Sequence, residues 1–150
     1  MNKLKDEAGL TLIEVMMVVI ILGVLVALVV PSFVGRTEQA RIAAAKADIQ
    51  ANIAIGLEMY LLDNGNYPTT EQGLRALLVK PDTPPIPSNW QGPYLKKHTS
   101  FEDPWGEKYV YVAPGEHNTE SYDLYSKGPD RQKGGNDDIT NWEDDESAME

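Results

Sequence analysis

The sequence contains no cysteine, so no disulfide can cross-link any part of the chain, whatever compartment it occupies. It is also poor in positive charge: 13 Lys and Arg stand against 23 Asp and Glu, for a formal net charge of -10. Nucleic-acid binding needs clustered basic residues that neutralise phosphates, and this charge balance therefore argues against it. The acidic surplus is compatible with divalent cations and basic proteins as partners.

Signatures of common enzyme classes are missing as well. No Gly-x-Ser-x-Gly, Walker or Gly-x-Gly-x-x-Gly pattern occurs in the sequence. His98 and His117 are separated by unrelated loop sequence, and neither has a neighbour at a metal-ligand spacing. We predict that the chain is not an enzyme.

Strong hydrophobicity is concentrated in a single run, residues 10–30, and the remainder of the chain is polar. This run is long enough to cross the hydrocarbon core of a bilayer as a helix. A secretory signal has a shorter apolar core followed by small residues at a cleavage site, whereas Pro31, Ser32 and Phe33 follow here. The run therefore predicts a retained membrane-spanning helix, with the short segment in front of it in the cytoplasm.

One acid, Glu14, interrupts this apolar run. A charge at membrane depth costs about 2.5–3.5 kcal/mol on insertion scales, so the position needs a reason. One interpretation is that the carboxyl is protonated, or that it snorkels from the helix end. In the other, the chain is cut after Gly9, and the new amine of Leu10 then lies one helical turn from Glu14. Amine and carboxylate would neutralise each other, within one chain or between neighbours.

The stretch GLTLIE at residues 9–14 resembles the processing motif of the type IV pilin superfamily. The resemblance implies that a prepilin peptidase cuts between Gly9 and Leu10 and methylates the new amine of Leu10. It also implies that Glu14, together with Thr11, helps to dock each subunit on the amine of a neighbour in a helical filament. Leu10 stands where that family usually has Phe, which is also large and apolar.

Helical periodicity continues beyond the apolar run. Pro31 removes a backbone donor and predicts a kink or a point of local melting. We predict one long helix over about residues 10–62, ended by turn residues at 63–66. Its soluble half carries apolar side chains at helical spacing that would pack on the rest of the domain: Ile42, Ala45, Ile49, Ile53 and Tyr60.

The rest of the chain predicts a small α+β domain. Thr69 and Gln72 resemble a capping box at the start of a short helix over about residues 70–80. A Pro-rich loop follows, and then strands are predicted at residues 109–112 and 122–125, joined by a hairpin loop. The predicted architecture is pilin-like: a long N-terminal helix with a membrane-spanning first half, whose second half packs on a small antiparallel sheet.

Residues 126–142, called the acidic loop below, are predicted to have little regular structure. Asp130, Asp137 and Asp138 supply three carboxylates, and glycines between them allow backbone turns. Hard cations such as Ca²⁺ are bound by carboxylate and carbonyl oxygens, but acidic glycine-rich loops are more often simply solvated. The spacing does not fit an EF-hand.

The chain from residue 9 to residue 142 resembles the major pseudopilins of bacterial type II secretion. The resemblance is carried by NGNYPTTEQGL, GPYL, DPWGEKYVY and DDITNW. It implies a Ca²⁺ cofactor held by the side chains of Asp130, Asp137 and Asp138. Backbone carbonyls of Lys127 and Gln132 would complete the site. Type IV pilins usually fix this region with a disulfide, so the missing cysteines favour a pseudopilin.

The resemblance implies a structural subunit of a periplasmic type II secretion filament that helps to export folded proteins across the outer membrane. The predicted segments are a leader, a transmembrane and polymerisation helix, a periplasmic globular domain and an acidic disordered tail, at residues 1–9, 10–31, 32–142 and 143–150. The implied partners are further copies of the chain, minor pseudopilins, the prepilin peptidase, membrane lipid before assembly, and an inner-membrane platform with a cytoplasmic ATPase. The alternatives are a type IV pilus subunit and a membrane-tethered periplasmic calcium-binding module.

Overall fold

The structure, a computed structural model, describes residues 11–96 and 99–142. The predicted leader, Leu10, His98 and the predicted acidic tail therefore lie outside the described residues. Internal contacts divide the chain into two compact units, Met1–Gln39 and Ala40–Glu150, and each is described by itself.

The first unit contains most of helix α1, which spans Leu12–Ala47. Large apolar side chains on all of its faces are exposed between Leu12 and Val26, with exposed fractions from 47% at Val15 to 80% at Leu12. The helix continues through Pro31, and a kink at that residue stays a prediction. Among the residues that the structure describes, no helix combines the length and the hydropathy needed to cross a membrane.

A π-helical segment, Asp48–Asn52, separates α1 from helix α2, Ile53–Asn64. No local sequence pattern predicts this change of helical pitch. Asp48 is the residue that anchors it: its carboxylate accepts the Asn52 Nδ2–H at 2.7 Å and the Tyr109 hydroxyl at 3.0 Å. Burial, together with the nearby Asp48, raises the pKa of Tyr109, so that this hydroxyl stays a hydrogen-bond donor. The wider π turn is thus braced by a residue distant in sequence.

The second unit has its core between this helical region and a three-stranded antiparallel sheet. Four of the five side chains predicted to form the packing stripe are buried, and Ile42 is half-buried against them. Leu57, which is fully buried, extends the stripe. Helix α2 is capped after Asn64 by Gly65, whose left-handed φ of 77° lets its N–H reach the Leu61 carbonyl at 2.7 Å.

The sheet has the order β1-β2-β3. Strands β1 (Val110–Val112) and β2 (Asp123–Ser126) pair antiparallel with Tyr111 opposite Leu124, so both predicted strands are confirmed to within one residue. Strand β3, Ile139–Thr140, was not predicted, because two residues are too few for a detectable alternation. It pairs with the end of β2, so the acidic loop contains part of the sheet at each end.

Only part of the predicted short helix at residues 70–80 is helical. The predicted capping box forms, with the Gln72 N–H donated to Thr69 Oγ1 at 3.3 Å and the Thr69 N–H donated to Gln72 Oε1 at 3.1 Å. However, it opens a turn and a 3₁₀ helix, Leu74–Leu77. The Gln72 side chain also donates to the carbonyls of Thr83 and Pro85. These contacts hold the Pro-rich loop against the turn, and Gly73 with its φ of 58° does not continue a helix.

Candidate functional site

The start of α1 is the first candidate site. Thr11 lies just before the helix, and its side-chain oxygen accepts the Glu14 N–H at 3.3 Å. Thr11 therefore acts as the N-cap of α1, a role in addition to the predicted one in assembly. Glu14 is exposed in the first helical turn. Gly9 and Leu10, the predicted cleavage and methylation positions, lie outside the described residues.

The surface behind Glu14 is unusually apolar for a chain taken alone. Soluble monomers rarely expose large contiguous apolar patches, and such patches mark interaction surfaces. Each apolar residue in this part of α1 is at least 47% exposed: Leu12, Ile13, Val15, Met16, Met17, Val18, Val19, Ile20, Ile21, Leu22, Val24, Leu25 and Val26. An exposed apolar surface of this extent is typical of an interaction site.

The acidic loop is the second candidate site, and its three aspartates fold the loop through hydrogen bonds to its own backbone. Asp130 accepts the Gln132 N–H at 2.8 Å, and Asp137 accepts the Asp130 N–H at 3.2 Å. Asp138 Oδ2 accepts the Gly134 N–H at 2.9 Å. The three carboxylates therefore share one short loop, as the sequence predicts.

Three observations bear on metal binding, two in favour of it and one against it. Asp138 Oδ1 is buried and has no hydrogen-bond partner, which leaves an acceptor free for a cation. Asp137 Oδ1 and Asp130 Oδ2 face the same point beside Gly135, at 3.0 Å and 4.0 Å from where a Cβ on that glycine would lie. In the described ranges no three His, Cys, Asp or Glu side chains form a group that could hold a metal. Calcium binding at the three aspartates therefore stays a prediction.

The two predicted carbonyl ligands lie in the same loop. Lys127 follows the last residue of β2, and its Nζ is 4.0 Å from Glu107 Oε2. Gln132 is exposed, and its N–H is the one bound by Asp130. Their roles as carbonyl ligands stay predictions.

A buried carboxylate outside the acidic loop went unnoticed in the sequence. Asp123 accepts the backbone N–H groups of Glu116, His117 and Asn118 at 2.8–2.9 Å. Burial raises the pKa of Asp123, but these hydrogen bonds and that of the His117 ring outweigh it, and the pKa lies below its ordinary value. The His117 ring also stacks on Trp142, with centroids 4.1 Å apart. Asp123 thus fixes the loop between β1 and β2.

Together, a long helix with an exposed apolar half and a small α+β unit with a three-stranded sheet define a pilin-like protein, and the predicted fold class is confirmed. The family described as Type II secretion system (T2SS), protein G, matches residues 32–142, and the Prokaryotic N-terminal methylation motif matches residues 4–30. The chain belongs to the type II secretion system protein G family.

Individual relatives agree with this assignment. The chain is 51% identical over 143 residues to the type II secretion system core protein G of Pseudomonas aeruginosa, covering 93% of this chain and 97% of that one. Its identity to the core protein G of Escherichia coli K12 is 47% over 143 residues, covering 95% of each chain. The crystal structure of the major pseudopilin from the type 2 secretion system of enterohaemorrhagic Escherichia coli matches with a TM-score of 0.62. In that match the identity is 40%, with 72% of this chain and 87% of that chain covered.

The prediction of a structural pseudopilin of type II secretion is therefore confirmed. Of the alternatives left open by the sequence, the type IV pilus subunit and the solitary tethered module receive no support from these relatives.

Proposed function

We propose that this pseudopilin is the main building block of its filament and that assembly buries the exposed half of α1 against other copies. The observation that carries the proposal is the apolar surface between Leu12 and Val26, exposed on every face of the helix. Burial of apolar surface contributes about 25 cal/mol per Å². Packing of helices in a filament would remove this surface from water or lipid without any change in the globular unit.

Glu14 supplies the specificity of that packing. Its position in the first turn of α1, N-capped by Thr11, brings its carboxylate near the chain start. A cut after Gly9 would create an amine there. In an apolar bundle an unpaired carboxylate is costly, whereas a carboxylate that meets the amine of a neighbouring copy is neutralised. Packing would thus favour neighbouring copies that have been cut after Gly9, aligned so that the amine of one meets Glu14 of the next.

Glu14→Gln tests this role, because it removes the charge and keeps the size of the side chain. We expect a folded globular unit but at least a tenfold loss of filaments and of secretion, measured by electron microscopy of sheared fractions and by export of a cargo enzyme. The matched control is Glu120→Gln, an exposed carboxylate in the β1–β2 loop, which should assemble normally. Normal filaments from Glu14→Gln would contradict the docking role.

We further propose that, before assembly, the chain is a single-pass inner-membrane protein with its globular unit in the periplasm. The match to a methylation motif over residues 4–30 supports an N-terminus that is cut between Gly9 and Leu10 by a prepilin peptidase. The inner-membrane platform with its ATPase, and the minor pseudopilins, are the proposed assembly partners. Mass spectrometry of the mature protein should find a chain that begins with N-methyl-leucine. An intact Met1 would contradict this.

A calcium ion is the proposed cofactor of the acidic loop. Asp130, Asp137 and Asp138 would hold it with their carboxylates, and the carbonyls of Lys127 and Gln132 would complete its shell. The buried, unpartnered Asp138 Oδ1 supports a cation there. The ion would supply positive charge that cancels the repulsion among the three carboxylates and orders a loop without a disulfide.

Chelation tests the calcium proposal. We expect EDTA to lower the Tm of the full chain in detergent micelles and excess CaCl2 to restore it, with no effect of MgCl2, which requires stricter octahedral geometry. Asp138→Asn should lose this response. Identical melting curves in EDTA and in CaCl2 would count against the site.

A further inference from the structure

A neighbouring turn, residues 103–107, contacts the acidic loop through buried and half-buried polar groups. The central contact joins Ser126, the last residue of β2, to Asp103: the Ser126 hydroxyl donates to Asp103 Oδ2 at 2.5 Å. Ser126 is fully buried and Asp103 is 6% exposed. The same Ser126 oxygen accepts the Gly128 N–H at 3.1 Å. One hydroxyl thus connects the turn to the first residues of the loop.

Gly128 lies between Ser126 and the proposed calcium ligands and contacts both. Its φ of 66° and its position against the backbone carbonyl of Asp137 leave no room for a side chain. Asp137 in turn accepts the Asp130 N–H. The order of contacts therefore runs from Asp103 through Ser126 and Gly128 to two of the three aspartates.

Two further contacts reach the turn from the loop. The Arg131 guanidinium donates to the Trp105 carbonyl at 2.8 Å, and Lys127 Nζ lies 4.0 Å from Glu107 Oε2. Arg131 has a φ of 60°, which makes it the one non-glycine residue with positive φ in the described part of the chain. Such a conformation costs about 1–3 kcal/mol and persists where surrounding contacts hold it.

The turn also has hydrogen bonds of its own. Asp103 Oδ1 accepts the N–H groups of Trp105 and Glu107 at 3.0 and 2.9 Å. The Asp103 N–H donates to the Glu107 carbonyl at 2.7 Å. A carboxylate that is already fixed in this way can orient a partner hydroxyl at little further cost in entropy.

We propose that the turn at residues 103–107 is a template that positions the backbone of the acidic loop for calcium binding, with Asp103 and Ser126 as positioning residues. This inference rests on the proposed calcium function. The template places the loop backbone before the ion arrives, so that less ordering accompanies binding. In other proteins the loss of a side chain that bonds a metal ligand directly lowers metal affinity by about 10–100-fold, and Asp103 and Ser126 act one contact further from the ion, through Gly128.

Ser126→Ala tests the template in the full chain in detergent micelles, stripped with EDTA and titrated with CaCl2 by calorimetry. We expect the Kd for calcium to rise about tenfold or more. The control is Thr140→Val, which removes a hydroxyl from the neighbouring strand that donates to the Trp142 carbonyl at 2.8 Å. Its Kd should stay within about twofold of the parent. A Ser126→Ala chain whose Tm falls equally with and without calcium, at an unchanged Kd, would show a purely structural role and overturn the inference.

A second pair of variants separates positioning from charge. Arg131→Gln and Lys133→Gln each remove one positive charge from the acidic loop. Because each charge repels a calcium ion, electrostatics alone predicts tighter calcium binding for both variants. The template predicts that Arg131→Gln instead raises the Kd several-fold, because it loses the Trp105 contact, while Lys133→Gln does not raise it. Tighter binding by both variants would overturn the inference. A parent chain without any calcium response would contradict the calcium function itself.

Discussion

Asp123 allows a quantitative test of how the β1–β2 loop is held. Its side chain is 4% exposed, and it accepts backbone N–H groups from Glu116, His117 and Asn118. Asp123→Asn keeps the size of the side chain but replaces one accepting oxygen with an amide that cannot accept. At least one half-buried donor then loses its partner, at about 1–3 kcal/mol, and the remaining bonds lose their charge assistance. We expect a loss of about 3 kcal/mol.

The imidazole of His117 contributes much less by this reasoning. It lies 3.1 Å from Asp123 Oδ2, but its side chain is 49% exposed, and exposed ion pairs contribute about 0–1 kcal/mol. His117→Ala should therefore cost less than about 1.5 kcal/mol, including the lost ring stack on Trp142. The ranking of the two variants tests whether backbone donors or the ion pair dominate.

Thermal unfolding of the full chain in micelles, followed by circular dichroism, measures both variants. At about 3 °C per kcal/mol, Asp123→Asn should lower the Tm by about 10 °C. The lowered pKa of Asp123 means that its contribution is present above its unfolded pKa, near 4, and disappears as the pH falls through the lower folded-state value. The difference between parent and Asp123→Asn should therefore shrink below about pH 4. An Asp123→Asn chain within about 0.5 kcal/mol of the parent at pH 7 refutes the reasoning.

Two further substitutions test the core and the acidic loop. Leu57→Ala at a fully buried position should cost about 2–5 kcal/mol, whereas Leu62→Ala on the same helix, where the side chain is 82% exposed, should cost less than about 1 kcal/mol; equal losses would contradict the packing described. Gly128→Ala should lower both the Tm and the calcium response, because the added methyl meets the Asp137 backbone at a positive φ. Gly134→Ala, also at a positive φ (93°) but with open space around it, is the control, and a calcium response as strongly reduced as that of Gly128→Ala would count against the close contact.

Much of the helical region could be predicted from the sequence because its signals are local. The stripe that includes Ala45, Ile49 and Ile53 follows the helical period and is buried, and turn residues mark the end near Gly65. The π-helical turn could not be predicted, since it depends on Asp48 meeting Tyr109, 61 positions away.

The candidate sites also divide into features with a local sequence signal and features that depend on contacts between distant residues. The GLTLIE stretch and the three aspartates were visible as motifs, and the former falls within the matched methylation motif. Asp103 and Ser126 carry no such signal, because a lone Asp and a lone Ser 23 residues apart acquire a role only when the fold brings them into contact.

The sequence by itself determined the family, the apolar N-terminal half of α1, the buried helical stripe and two of the three strands, because each has a signal in neighbouring residues or in a repeated spacing. Only the tertiary structure decided the π turn, strand β3, the buried acceptor Asp123 and the turn that contacts the acidic loop. Each of these depends on hydrogen bonds between segments far apart in the chain, and neither a residue's type nor its neighbours specify such partners.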